Sequence, residues 1–408
     1  MQYYQLYDAL KELYSTEQDY VESSELGIEI FNYDFLSQKG KKVLYGSDDL
    51  SCGKHHIDYQ EEVTKGEIED HLLGCPDFNI KQNERFKVSV IKTQDVISAT
   101  GVIVMFHGLN EKKWDKYLPW AYELAKQTGK AIVLFPISFH MDRTPAEWSD
   151  RKLMFGIAQK RAEDWKTNSD TSYVNAAIST RMEDNPLRLF WSGLQTYYDF
   201  IQWVEEVKKG TYPTIDKNAT IDLFGYSIGS FLSLIILMAN PKGLLDSSKL
   251  LCYCGGMTID RMAPISKYIM DARATIMMQK TFAQLLTTSF VSEPRLEHYQ
   301  DILQHPEESW FRTMLRYYHY QENREKRFKE LEGRIKSINL MKDDIAPPVE
   351  ALNTLQGAYR TINIEVDVID YPFNYSHMIP FPLTVKNADE VTEAFNLTMD
   401  KMVSFYKK

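Results

Sequence analysis

Phe224-Gly-Tyr-Ser-Ile-Gly229 is the stretch on which the reading of this chain turns. Ahead of it, Thr220-Ile-Asp-Leu-Phe224 has the β-branched and aromatic character of a buried strand. Behind it, residues 228–239 are apolar almost throughout and predict a central buried helix. A strand that passes directly into a helix needs a sharp turn. Gly225 and Gly229 flank Ser227 at a spacing that removes side-chain collisions inside that turn, and Ser230 keeps the first helical turn slim. The expected result is a serine hydroxyl raised above the sheet, next to the free N–H groups of a helix N-terminus. A purely structural tight turn is the other use of the same pattern.

Working outward, residues 86–92 alternate apolar and polar side chains as a half-exposed strand does, and Val102-Ile-Val-Met-Phe106 is an uninterrupted strand-like run. Residues 114–128 predict an amphipathic helix that stops near Gly129, with Pro119 marking where regular helix can begin. Ala131-Ile-Val-Leu-Phe135 reads as the next buried strand, halted by Pro136. A long insertion over 137–186 follows, then a helix near 190–209, the turn quoted above, and a strand at 250–253. After a long helical, Met- and aromatic-rich segment come a strand at 337–341, a helix near 348–358, a strand at 362–370 and a last helix at 387–406. The run QENREKRFKELEGRIK within the helical segment predicts a solvated helix face ending at Gly333. Strands alternating with helices predict an α/β fold with a doubly wound, mostly parallel sheet. The expected organisation is an N-terminal extension (1–78), a core (79–257 and 333–408) and a helical cap (258–332).

Three further segments carry chemistry. His107-Gly108-Leu109-Asn110-Glu111 follows the first buried strand, where a loop can present a backbone N–H to the same site. The expected oxyanion donors are the N–H groups of Leu109 and Ile228, with His107 as a structural anchor of the loop. In Met341-Lys-Asp-Asp-Ile-Ala-Pro-Pro348 a carboxylate can fix the tautomer of a histidine. Asp343, with its Asp-x-x-x-Pro spacing, is preferred over Asp344. In Asn374-Tyr-Ser-His-Met-Ile-Pro380 the expected base is His377. Weaker candidates for substrate binding are Arg143, which either holds a carboxylate or makes a structural ion pair, and Trp310 and Tyr317 on an apolar stripe that lines an acyl pocket or packs on the core. His55 and His56 lack a helical His-x-x-x-His partner and are read as surface residues. Walker A, G-x-G-x-x-G and H-E-x-x-H motifs are absent from the sequence.

On these segments the chain, from about residue 79 onward, resembles the α/β-hydrolase superfamily: a His-Gly loop, then Gly-Tyr-Ser-Ile-Gly, then Asp343-x-x-x-Pro347, then His377. The acid loop departs from many members in carrying Met341 and Lys342 where glycine is common. The resemblance implies a serine hydrolase that forms an acyl-enzyme on Ser227, most simply a carboxylic ester hydrolase of a small or medium substrate, needing neither metal nor organic cofactor. A serine peptidase or amidase would use the same triad, with Glu111 and Arg143 as the candidates to hold a charged chain end. A catalytically silent fold used as a binding module is the rival from another class.

Composition narrows the partners. The 408 residues are 44% hydrophobic, enough for a large core, and the net charge of −10 disfavours nucleic acid and anionic membranes. The four cysteines fit a reducing compartment better than a disulfide framework, and Cys252 and Cys254 sit in an apolar run that predicts a strand. The amino-terminal segment lacks the blocks of a signal peptide, and no apolar run approaches the roughly 20 residues of a membrane span. The expectation is a soluble, cytoplasmic protein.

Overall fold

The computed structural model describes residues 1–44, 47, 51–58, 73–167 and 169–407. Nine strands form the main sheet: β1 (Tyr20–Ser23), β2 (Ile28–Leu36), β3 (Arg85–Thr93), β4 (Ala99–Phe106), β5 (Ala131–Leu134), β6 (Ile215–Tyr226), β7 (Leu250–Tyr253), β8 (Ile335–Leu340) and β9 (Glu365–Ile369). Their spatial order is β1-β2-β3-β5-β4-β6-β7-β8-β9. The pairs from β5 to β9 are parallel, whereas β1–β2, β2–β3 and β3–β5 are antiparallel. The principal helices are α1 (Tyr3–Leu13), α2 (Leu118–Thr128), α3 (Arg151–Asp164), α4 (Ala176–Asp184), α5 (Arg188–Lys208), α6 (Ile228–Ala239), α7 (Ala272–Thr287), α8 (Gln321–Glu330), α9 (Pro348–Leu355) and α10 (Ala388–Lys407).

The central strands are apolar on both sides because both faces of the sheet are covered. Along β4, Val102, Val104 and Phe106 join the core built with α5 and α6, while Ile103 and Met105 join the core built with α1, α2 and α10. Period-two alternation thus feeds two separate cores from one strand. Trp120 on α2 shows the second core's density: its ring centroid lies 5.3 Å from that of Tyr226 and 5.2 Å from that of Tyr253. Gly129, with φ +69°, ends α2 where the sequence places the stop.

Residues 1–78 do not all stand outside the sheet: β2 pairs along its whole length with β3, from Ile28 opposite Thr93 to Leu36 opposite Arg85, and β1 continues the edge. Ile28, Ile30 and Phe35 face inward, but Glu29, Asn32 and Asp34 dilute the apolar signal along this strand. Asn32 is itself buried, its amide donating to the carbonyls of Ser15 and Gln18, so its polarity marks a hydrogen-bonded corner and not solvent.

The segment 258–332 is largely helical. Its α7 packs against α4, and the 3-10 stretch Glu308–Met314 packs against α6. Its first residues are tied to two loops of the core: Ala263 N–H donates to Ile345 O at 2.8 Å, and the Asn110 amide donates to Tyr268 O at 2.7 Å. Among the described residues no helix is long and apolar enough to cross a membrane.

Candidate active site

β6 runs into α6 through Ser227, whose backbone stands at φ 55°, ψ −118°. This is a costly conformation for a residue with a Cβ, and the surroundings enforce it. Ser227 N–H donates to Tyr253 O at 3.1 Å on the neighbouring strand, and Ser230 Oγ–H donates back to Gly225 O at 2.7 Å. A Cβ on Gly225 would come within 2.5 Å of Ser230 backbone, and one on Gly229 within 2.3 Å of Phe106 O. Both glycines are therefore required by close backbone approach.

The turn brings Ser227 Oγ to 2.9 Å from His377 Nε2, and His377 Nδ1 lies 2.7 Å from Asp343 Oδ2. All three are buried, with 3%, 2% and 4% of Ser227, His377 and Asp343 exposed. Asp343 Oδ1 accepts the N–H groups of Ile345 (3.0 Å) and Ala346 (2.8 Å), which fixes the carboxylate within its own loop. Asp344 is exposed. The loop after β9 is held from below by Tyr226, whose hydroxyl donates to His377 O and whose ring centroid lies 5.4 Å from the imidazole. Burial pushes the Tyr226 hydroxyl well above its ordinary pKa, so it remains a donor.

Cys254 follows β7 and is fully buried. Burial first and the neighbouring Asp343 second push its thiol well above the ordinary range. It stays protonated beside the carboxylate. Its backbone stands in the left-handed region at φ 49°, just past the end of β7.

The loop that begins at His107 is fixed by its own hydrogen bonds. His107 Nε2 accepts Ile137 N–H at 2.9 Å, so Nδ1 carries the proton and donates to Gly108 O at 2.8 Å. Desolvation holds this ring neutral. Gly108 N–H is consumed by the Tyr117 hydroxyl at 2.8 Å. Among the described residues the N–H groups of Leu109 and Ile228 have no such partner.

Beside Leu109 opens a cleft lined by Leu109, Phe139, Ile178, Met182 and Leu189, with polar members that include His140, Lys112, Arg181 and Arg188. Desolvation lowers His140 to about 4 and Lys112 to about 8. The walls come from the 137–186 insertion and the start of α5. The sequence reading did not assign them this place; the signal was there in the insertion's length and its position after a strand whose end faces Ser227.

The three weaker candidates serve packing. Arg143 is fully buried, its guanidinium donating to Asn83 Oδ1, Asn83 O, Pro136 O and, at 2.7 Å, Asp199 Oδ2. Each of its three guanidinium nitrogens donates to a protein group, which matches the structural ion pair of the two uses read from the sequence and not the holding of a substrate carboxylate. Trp310 packs against the α5–α6 core. The Tyr317 hydroxyl donates to Asn353 O at 3.4 Å, and the Arg261 guanidinium lies 4.9 Å from its ring centroid. Neither lines the cleft beside Leu109. His56 is exposed, as read from sequence, but His55 is half-buried and sits against Cys52, His298 and Asp301.

A mixed nine-stranded sheet with helices on both faces, and a strand-to-helix turn carrying Ser227 at its centre, define an α/β-hydrolase fold. Within that class the chain belongs to the family described as "Family of unknown function (DUF6051)", whose model matches residues 1–407. No curated protein matches it. Among solved structures it is similar to esterase Est22 (12% identity, 99% of this chain and 86% of that chain, TM-score 0.45). It is also similar to carboxyl esterase 2 of the mycorrhizal fungus Tuber melanosporum (12% identity, 79% and 81%, TM-score 0.41) and to a thermostable esterase from Pseudomonas putida ECU1011 (11%, 96% and 86%, 0.40). These are similarities of chain path and say nothing of activity.

Proposed function

We propose that the protein is a serine hydrolase cleaving carboxylic esters of small or medium acyl chains. The observation that carries this is the continuous chain of contacts Ser227 Oγ–His377 Nε2 and His377 Nδ1–Asp343 Oδ2 at 2.9 and 2.7 Å. In this reading His377 takes the proton of Ser227 as the hydroxyl attacks the carbonyl, then delivers it to the leaving alcohol. Asp343 holds the tautomer with Nδ1 protonated and stabilises the imidazolium. The N–H groups of Leu109 and Ile228 receive the oxyanion. Water then repeats the sequence on the acyl-enzyme. The cleft beside Leu109 accepts the acyl chain, and the segment 258–332 caps the site. No metal or organic cofactor enters these steps.

An ester is favoured over a peptide because the two charges proposed for a chain end are both engaged. Arg143 is buried on Asp199, and Glu111 pairs with Lys116 and accepts the Tyr117 hydroxyl. The test is a panel of p-nitrophenyl esters of increasing chain length beside aminoacyl amides. Turnover of short and medium esters with little on amides supports the reading; the opposite preference makes the protein an amidase.

A further inference from the structure

Cys52, His55, His298 and His305 come together from two distant parts of the chain. Cys52 Sγ lies 3.4 Å from His55 Nδ1 and 3.3 Å from His305 Nε2, and His55 Nδ1 lies 3.0 Å from His298 Nδ1. The four ligand-type atoms all fall within 4.8 Å of one another. A tetrahedral zinc ion with bonds of about 2.0–2.3 Å sets its donor atoms about 3.3–3.6 Å apart. The two edges from Cys52 match that spacing, the 3.0 Å edge between His55 and His298 is slightly short of it, and the widest separation closes with a side-chain adjustment of about 1 Å.

We infer that these four residues form a structural zinc site, with Sγ of Cys52, Nδ1 of His55, Nδ1 of His298 and Nε2 of His305 as ligands. Three further observations support it. The distal nitrogen of one ring is hydrogen-bonded to a carboxylate, His55 Nε2 lying 2.9 Å from Asp301 Oδ2, while His305 Nδ1 lies 3.4 Å from Glu308 Oε2 without a hydrogen bond. A carboxylate behind a histidine fixes the tautomer that leaves the other nitrogen bare for a metal. The backbone N–H of His55 donates to Cys52 Sγ at 3.4 Å, an arrangement that favours the thiolate. Finally, among the described residues the donor set is one sulfur and three imidazoles, which suits the four-ligand coordination of a structural zinc. The two carboxylates offset the positive charge that Zn2+ with a single thiolate would leave.

The site also answers a question of stability. Ser51–Cys52 pairs with Ile57–Asp58 in a sheet of two-residue strands, far too little pairing to hold itself. A metal bound to Cys52 and His55 would fasten this hairpin to the segment around Pro294–His298 and Glu308–Met314. Glu308 in turn accepts the Tyr198 hydroxyl on α5, and Arg295 reaches the carbonyl of Val43. One ion thus ties the segment after β2, the proposed cap and a core helix together, and closes a chain loop of great length at a single point.

The test uses the full chain, purified without a metal-affinity tag. Zinc content is measured after dialysis, and the Co2+-substituted protein is examined by absorption. The expected result is about one zinc per chain, retained at submicromolar free metal. With Co2+, tetrahedral visible bands and a near-ultraviolet thiolate-to-cobalt band are expected. Cys52→Ala removes the thiolate band, His298→Ala lowers zinc content, and a strong chelator lowers the melting temperature of wild type but not of Cys52→Ala. Ser227→Ala keeps its zinc. Absence of the thiolate band in wild type, or equal zinc content in wild type and Cys52→Ala, overturns the site. Should Cys52→Ala or His298→Ala not fold, the wild-type cobalt spectrum decides alone, and Asp301→Asn, expected to bind zinc 10–100-fold more weakly, supplies the graded comparison; unchanged affinity there counts against the assignment.

Discussion

Asp343 divides its two oxygens between two tasks: Oδ2 meets His377 Nδ1 at 2.7 Å, while Oδ1 holds the N–H groups of Ile345 and Ala346. The carboxylate is therefore aimed by its own loop before any substrate arrives. Its neighbour Asp344 is exposed and takes no part in this arrangement. Asp343→Asn is expected to lower kcat by on the order of 10³–10⁴-fold through loss of tautomer control. Asp344→Asn should stay within a few-fold of wild type. Steady-state rates on one activated ester check the ranking, and equal losses in the two variants would contradict it.

Arg143 answers to stability and not to substrate choice. Truncating it to Leu leaves the buried Asp199 without its cation, with the Ser37 hydroxyl still donating to Oδ1. Breaking one half of such a pair costs about 3–5 kcal/mol. Denaturant titration should show that loss, while KM for anionic and neutral esters measured on the folded fraction stays unchanged. A selective rise in KM for anionic esters at unchanged stability would return Arg143 to the substrate.

Ile178 stands in the wall of the cleft beside Leu109. Ile178→Trp should fill the cleft and shift the preferred acyl chain to shorter lengths, with hexanoyl or longer esters losing about 10-fold or more relative to acetyl. A profile superimposable on wild type would mean the acyl chain lies elsewhere.

His140 is buried neutral, lowered to about 4 mainly by desolvation, with Lys112 and Arg143 adding repulsion. The unfolded state takes up its proton near pH 6.5 and the folded state only near 4. Its contribution to stability is thus full above about pH 6.5 and is lost as pH falls toward 4, amounting to about 3 kcal/mol across that window. The melting temperature of wild type should fall more steeply between pH 6.5 and 4 than that of His140→Phe. Parallel curves would show that His140 is not held neutral.

The fold was legible in the sequence wherever a strand is covered on both faces, because the buried stretches Val102–Phe106 of β4, Ala131–Leu134 of β5 and Leu223–Tyr226 of β6 carry no charged side chain. The order of the chemical segments was legible too, since a strand-to-helix turn with glycines around Ser227 leaves few alternatives. The strand β2 was not, because Asn32 and Asp34 interrupt its pattern and Asn32 is satisfied by the carbonyls of Ser15 and Gln18, which its sequence neighbours do not reveal. Nor was the cluster of Cys52, His55, His298 and His305. Its two halves lie 243 positions apart at the closest His–His pair, and neither Cys-x-x-His nor His-x₆-His is informative alone. Arg143 was legible as a charge but not as a buried one, since Asp199, its partner, lies on a helix that periodicity places without saying what it faces.

The central claim, that Ser227 is the nucleophile, is tested most directly by reacting the protein with a fluorophosphonate and locating the adduct by peptide mass mapping. The account predicts a single phosphonyl adduct on Ser227, formed at a rate that falls on the order of 10³-fold or more in His377→Ala, and no adduct in a folded Ser227→Ala. Labelling of folded Ser227→Ala at the wild-type rate, or an adduct on another serine of the wild type, would contradict it.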